Sequence, residues 1–251
     1  MPRIEVRPGI SLAFESRGSG APLVLVMGVG AQMLFWPDDF IERLVEHGHR
    51  VICFDNRDCG QSTWLHHERA PAPLGAMTRA LAGLSVRAPY TLWDMADDTV
   101  ALLDALELER AHVAGISMGG MIAQCMAIRH PERVQSLTSM HSSTGSRRHS
   151  VGDPRTYSAL LAPGPKHRNE AAEHLVRLYE VIGSPGFALD WDEIRDRGRR
   201  TFDRGANPAG FLRQWSAILA SGSRDQALGL RVAHGLRVVD GAAHDQDALH
   251  E

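Results

Sequence analysis

The stretch that decides the fold reads Val113-Ala114-Gly115-Ile116-Ser117-Met118-Gly119-Gly120. The apolar run Ala111–Ile116 predicts a strand, and Gly119–Arg129 predicts a helix. Between them Ser117 is flanked by a glycine two positions before it and another two positions after it. A sharp turn from a strand into a helix favours such glycines, because side chains at these positions would clash with the backbone. The stretch therefore predicts a strand-to-helix corner with Ser117 at its apex.

Strands and helices alternate on both sides of this corner. The predicted strands are Ile4–Val6, Ile10–Phe14, Pro22–Val26, Arg50–Phe54, Ala111–Ile116 and Val134–Met140, and predicted helices include Trp36–Glu46 and one that begins at Thr91. The first two strands are joined by a Pro-Gly turn, which predicts a hairpin. The alternation predicts an α/β protein with a mostly parallel sheet and helices on both faces.

The pattern changes between residues 142 and 221. No strand pattern is found there, whereas Glu170–Val181, Asp192–Arg199 and Pro208–Leu219 have helical spacing. We therefore divide the chain into a core at 1–141, a helical insertion at 142–221 and a shortened C-terminal part of the core at 222–251. The insertion is either an ordinary helical segment or a lid that sets substrate preference. Its many apolar residues favour the lid.

Composition excludes several classes of protein. The chain has 251 residues, of which 43% are hydrophobic and 23% charged, and a net charge of −3, which argues against a nucleic-acid partner. The longest apolar run, Leu23–Val29, is too short to span a membrane, and the N-terminus lacks an apolar signal region. Three cysteines match neither a disulfide framework nor a zinc pattern. We therefore expect a cytoplasmic protein with reduced thiols and no metal.

Several motifs give the chain a resemblance to a known family. They are Val26-Met27-Gly28, Phe35-Trp36-Pro37, Phe54–Ser62, Ala88–Leu92, Met95–Asp98 and Ala114–Gln124. With these motifs the chain resembles the α/β-hydrolase superfamily, and within it the aclacinomycin methylesterase-like group. The likeness covers roughly the first 230 residues and is most specific in the first half.

The resemblance implies a set of catalytic groups. Ser117 would be the nucleophile, and the backbone N–H groups of Met118 and Val29 would form the oxyanion hole. In this family the catalytic histidine is the last member of the triad along the chain. The matching residue here is His244, which follows the strand and glycine turn Val238–Ala243, so the resemblance implies that it is the base. The resemblance implies hydrolysis of a small to medium apolar carboxylic ester, such as a methyl ester, without a cofactor. The oligomeric state is not indicated.

The family's catalytic triad consists of a serine, an acid and a histidine, and no residue of this sequence matches the position of the acid. Gly229–Val232, interpreted as a strand, runs directly into Ala233–Val239, which leaves no room for the acid-bearing turn and helix of about 20 residues. Asp240 lies too close to His244 along the chain, and Asp245 is adjacent to it. The sequence ends seven residues after His244, so we also expect the last covering helix to be absent. The triad is expected to be incomplete and the activity impaired.

Two alternatives to an active esterase stay open. One is a catalytically dead relative, and the other is a cofactor-free haloperoxidase-type perhydrolase that uses the same residues. A serine at the corner argues against the epoxide-hydrolase and dehalogenase branches, which use an aspartate there. The loop Asp55–Ser62 is interpreted as structural, with Arg57 and Asp58 paired locally, and Cys59 and Cys125 as packing residues.

Overall fold

The computed structural model describes residues 1–146, 153–233 and 238–241. Its strands form one seven-stranded sheet in the order β1-β2-β4-β3-β5-β6-β7. They are β1 Arg3–Arg7, β2 Ile10–Arg17, β3 Ala21–Val26, β4 His49–Phe54, β5 Ala111–Ile116, β6 Val134–Met140 and β7 Val238–Gly241. The pairs β1–β2 and β2–β4 are antiparallel, and all later pairs are parallel. The predicted mostly parallel sheet is confirmed.

Helices occupy the connections between the strands. They are α1 Asp38–Glu46, α2 Pro73–Leu81, α3 Leu92–Ala105, α4 Met118–Arg129, α5 Pro154–Leu160, α6 Arg168–Ile182, α7 Trp191–Gly205, α8 Pro208–Ala220 and α9 Asp225–Ala233, with short 3-10 helices at Met33–Phe35 and Pro131–Arg133. The helix α3 begins with a capping box at Thr91, in which Thr91 and Asp94 exchange side chain to backbone hydrogen bonds. The helix α2 was not predicted, because the proline-rich stretch before it indicates a loop.

The central strands are buried on both faces. In β3, Val24 belongs to the apolar cluster that contains α3 and α4 residues, whereas Leu23 and Leu25 belong to the cluster on the α1 side. This alternation follows from the two-residue period of a strand, which sends successive side chains to opposite faces. The prediction of buried strands from continuous apolar runs is therefore confirmed for β3.

The interpretation of Gly229–Val232 as a strand is wrong. These residues lie in α9, which packs against α4 through the buried side chain of Leu228 and a hydrogen bond from Arg231 to the carbonyl of Ile128, 2.9 Å long. Leu230 points to solvent. A run of four residues cannot distinguish a strand from one turn of a helix. The next strand is β7, which pairs in parallel with β6.

The segment between β6 and α9 carries the helices α5 to α8. The described residues of this segment, 142–146 and 153–224, contain no strand. The helices α6 and α7 pack together through Leu175, Val176 and Ile194. The assignment of 142–221 as a separate lid stays a prediction.

Candidate active site

Ser117 occupies the turn between β5 and α4, which is where the sequence predicts it. Its backbone has φ 54° and ψ −121°, a conformation that is costly for a residue with a side chain. Its N–H donates a 2.9 Å hydrogen bond to the carbonyl of Met140 at the end of β6. The side chain is exposed to solvent. The chain thus holds a serine in a strained corner in front of a helix N-terminus.

The glycines around Ser117 are required by close backbone approach. A Cβ atom on Gly115 would clash with the carbonyl of Gly119, and a Cβ atom on Gly119 would clash with the carbonyl of Val26. Both clashes are with backbone, so a rotamer change cannot relieve them. The glycines at positions 115 and 119 therefore allow α4 to pack closely against β3 and β5.

The loop after β3 lies directly beside Ser117. An ideal Cβ atom on Gly28 would be 3.3 Å from Cβ and 3.8 Å from Oγ of Ser117. Within the described residues, the backbone N–H groups of Val29 and Met118 have no hydrogen-bond acceptor. Met118 is the first residue of α4, where unpaired N–H groups and the helix dipole favour negative charge.

A glutamine on α8 holds the same loop. Oε1 of Gln214 accepts a 2.7 Å hydrogen bond from the N–H of Gly30, and its Nε2 donates one of 2.7 Å to the carbonyl of Arg57. The glutamine is fully buried. Gly30 has φ +66° and packs against the ring of Phe211, so that glycine is favoured there. The helical segment and the loop beside Ser117 are therefore directly connected.

The loop after β4 is structural, but its predicted local pairing of Arg57 with Asp58 is wrong. Arg57 pairs with Asp98 on α3, with N–O distances of 2.5 and 2.6 Å. Asp58 pairs with Arg213 on α8, at 2.8 and 2.7 Å. The partners are 41 and 155 residues away in the chain, so proximity in sequence misled the interpretation. The loop connects the core to α8 rather than closing on itself.

The two buried carboxylates respond differently to their surroundings. Burial raises the pKa of Asp58, but hydrogen bonds from Arg213, the Leu65 N–H and Tyr90 outweigh it, and the pKa is lowered overall. Burial raises the pKa of Asp98, and Arg57 offsets this only in part, so its pKa stays raised. Each carboxylate already has an arginine partner, so neither is free to orient a histidine.

A third carboxylate ties α7 to the core. Asp55 accepts hydrogen bonds from the backbone N–H groups of Met33 and Gln61, at 2.8 and 3.0 Å. It also pairs with Arg204 on α7 at 2.9 Å. Gln32 accepts a further hydrogen bond from Arg204, at 2.7 Å. The helical segment is therefore held on the core by buried polar contacts from both α7 and α8.

An apolar cavity of about 510 Å³ lies under the helical segment. Val29 and Gly30 line it on the core side, whereas Ser117 does not line it. Most of the other lining residues are apolar and include Phe35, Leu160, Leu175, Leu178, Phe202 and Phe211. The loop of Gly28–Gly30 thus contacts Ser117 on one side and the cavity on the other. This volume suits a small or medium ligand.

The predicted base cannot be placed. His244 lies outside the described residues, as does Asp245. Asp240 lies in β7, in register with Ser139 of β6. Asp225, at the start of α9, is hydrogen-bonded by Thr144. The structure therefore brings together Ser117, Met118 and the loop that carries Val29, while His244 as the base and the absence of a triad acid stay predictions.

The described residues give little support to a cysteine nucleophile or a metal centre. Burial raises the pKa of Cys53 and of Cys125 to about 12, and it also raises the pKa of Cys59, so none is a ready thiolate. In the part of the chain that the structure describes, no three His, Cys, Asp or Glu side chains cluster as metal ligands. No helix in that part is long and apolar enough to cross a membrane.

Sequence reasoning missed the buried polar contacts of the helical segment. Arg213 and Gln214 interrupt an apolar helix between Phe211 and Trp215, and both are buried. Polar residues on the apolar face of an amphipathic helix are a usable signal, because buried polar groups need partners. The signal does not say which loop supplies those partners.

Comparison with known proteins agrees with the observed fold. A family model described as alpha/beta hydrolase fold matches residues 21–163. The chain is 38% identical over 120 residues to rhodomycin D methylesterase DnrP of Streptomyces peucetius, which is 48% of this chain and 34% of that protein. It is 30% identical to the putative carbamate hydrolase RutD of Variovorax paradoxus, with 91% of this chain and 85% of that protein covered. The chain thus spans about a third of the methylesterase.

A solved structure supports the fold over nearly the whole chain. A structure from work on carboxylesterases of Nitrososphaera gargenis superposes with a TM-score of 0.64. The match covers 95% of this chain and 79% of that chain at 22% sequence identity. At this identity the likeness is one of fold.

Proposed function

Because the chain belongs to the α/β-hydrolase fold family, we propose that it is a serine hydrolase that cleaves small to medium apolar carboxylic esters. The observation that carries the proposal is the position of Ser117. It lies exposed in a strained corner, beside the loop that bears the free N–H of Val29 and next to the free N–H of Met118. Strained conformations of this kind are characteristic of functional sites.

The proposed reaction proceeds through an acyl-enzyme. Oγ of Ser117 attacks the carbonyl carbon while its proton passes to His244, and the carbonyl electron pair moves onto oxygen. The N–H groups of Val29 and Met118 hold that oxyanion. As the intermediate collapses, the carbon–oxygen ester bond breaks and the leaving alkoxide takes the proton from His244. A water molecule then attacks in the same way and releases the acid and Ser117.

The relatives suggest the class of substrate. DnrP is named as a methylesterase, and it is 38% identical to this chain over 120 residues. We therefore propose a methyl ester as the first substrate to test. RutD is named as a putative carbamate hydrolase, and its match extends over most of both chains. A methyl carbamate of the same acyl size is the matched comparison.

A specific observation favours a second candidate, a catalytically impaired or dead relative. Asp58 and Asp98 are paired with arginines, and Asp225 is bonded by Thr144. Replacing the triad acid of a serine protease by an amide lowers turnover about 10⁴-fold. If the acid is absent here, turnover falls well below the value of about 10 s⁻¹ that is typical of enzymes.

The proposal is tested by hydrolysis of methyl and 4-nitrophenyl esters of short apolar acids. We expect slow turnover that Ser117→Ala abolishes and that the control Ser85→Ala, in an exposed loop, leaves unchanged. Activity that survives in Ser117→Ala would contradict the proposal. The same variants assayed with acetate and hydrogen peroxide report on perhydrolysis, which would use the same residues.

A further inference from the structure

Among the described residues that line the cavity under the helical segment, two polar side chains have no hydrogen-bond partner, His174 of α6 and Thr201 of α7. His174 of α6 lines the cavity and is half-buried. Within the described residues its ring makes no hydrogen bond, and of the two unpartnered groups only the imidazole can offer both a ring N–H donor and a ring nitrogen acceptor. The side chains of Asp58 and Gln32 in the same lining are hydrogen-bonded to protein groups.

The surroundings of His174 keep its ring neutral. Burial lowers its pKa and Arg177 lowers it further, while Glu170 raises it. A neutral imidazole offers one N–H donor and one nitrogen acceptor. Because the described lining includes no lysine or arginine, the cavity provides no fixed cation for a carboxylate. The polar group that fits is therefore uncharged.

We propose that His174 hydrogen-bonds a neutral hydroxyl or carbonyl group of an otherwise apolar ligand in this cavity. The cavity is bordered by Val29 and Gly30, next to Ser117, so the ligand is a substrate if the proposed function holds. His174 is then a specificity-determining residue of that hydrolase. The binding itself does not depend on turnover.

Most of the remaining lining is apolar, so a hydrogen bond to His174 would make ligand binding selective. The rings of Phe35, Phe202 and Phe211 and the leucines of α5 and α6 offer apolar surface only. A ligand hydroxyl that enters without a partner loses its hydrogen bonds to water. A net hydrogen bond contributes about 0.5–1.5 kcal/mol, which corresponds to a twofold to tenfold change in affinity.

The test is a binding titration in the Ser117→Ala protein, which removes turnover. The probes are methyl biphenyl-4-carboxylate and its 3′-hydroxy and 4′-hydroxy derivatives. We expect at least one hydroxylated probe to bind about three to ten times more tightly than the parent ester. His174→Leu should abolish this preference, and His174→Gln, which keeps a donor and an acceptor, should retain part of it. The control is His167→Leu, at the exposed start of the same helix.

Three results would overturn the inference. They are a preference that persists in His174→Leu, no preference in the unsubstituted site, and no binding of any probe. Failure of the proposed function gives a different result, since the hydroxyl preference would then be present in a protein that hydrolyses none of these esters. Retention of the preference in His167→Leu, with its loss in His174→Leu, supports the inference directly.

Discussion

The backbone N–H of Gly30 donates a 2.7 Å hydrogen bond to Oε1 of Gln214, which lies 184 residues later in the chain. Gly28 of the same short loop lies beside Ser117, and Val29 lines the apolar cavity. One side chain of α8 therefore fixes the loop that would hold the oxyanion. It follows that the helical segment positions the proposed catalytic groups as well as covering the cavity.

We predict that Gln214→Met slows acylation of Ser117 more than it weakens ligand binding. The substitution keeps a similar volume but leaves the Gly30 N–H and the Arg57 carbonyl without partners, which costs about 1–3 kcal/mol for each buried group. The acylation rate constant and the probe affinity measure the two effects separately. Gln226→Met, at an exposed position of α9, is the control. An unchanged acylation rate in a stably folded Gln214→Met protein would contradict the positioning role.

The pair of Asp58 and Arg213 should be a major contact between the core and α8. Both side chains are buried, so Arg213→Met leaves an unpaired carboxylate and should destabilise the protein by about 3–5 kcal/mol. The double variant Asp58→Asn, Arg213→Met should recover part of that loss. Denaturant unfolding of the two single variants and the double variant measures the coupling. Additive effects would show that the pair contributes no coupling energy.

Stability should fall in acid partly because of Asp58. Its pKa in the folded protein is lowered, so its contribution is present above the unfolded pKa of about 3.9 and is lost as the pH falls through the folded pKa. Asp98, whose pKa is raised, acts in the opposite direction. The free energy of unfolding, measured from pH 6 to pH 3, should decrease less steeply in Asp58→Asn. An equal slope in both proteins would contradict this assignment.

The corner glycines should tolerate no side chain. Gly119→Ala places a methyl group against the carbonyl of Val26, and we expect a loss of about 3 kcal/mol or more in the free energy of unfolding. Gly75→Ala, in α2 with open space around it, is the matched control and should stabilise by about 0.5–1 kcal/mol. Thermal unfolding of both variants gives the comparison. Equal melting temperatures would mean that the corner can relax.

The sequence predicted those features that depend on local pattern. The apolar runs of β3, β4 and β5 are set by burial on two faces, and the glycines around Ser117 are set by close backbone contact. Both leave a signal within about ten residues. The strand predicted at Gly229–Val232 failed because one turn of α9 and a short strand share the same apolar content. Local pattern therefore decides element type only where a run is long or its glycines are constrained.

The polar contacts between segments could not be predicted in this way. The partner of Asp58 is 155 residues distant, and that of Gly30 is 184 residues distant. Such pairs depend on how α8 is seated on the core, which no local spacing encodes. Proximity in the chain wrongly indicated that Arg57 and Asp58 pair with each other.

The central claim, that Ser117 is an activated nucleophile, is tested most directly by labelling with a fluorophosphonate and mapping the adduct by mass spectrometry. Such a probe reacts with a serine whose hydroxyl is activated by a base and whose oxyanion is stabilised. We predict a single adduct on Ser117, absent from Ser117→Ala and retained in Ser85→Ala. A folded protein that stays unlabelled at Ser117, or that is labelled on another serine, would contradict the claim.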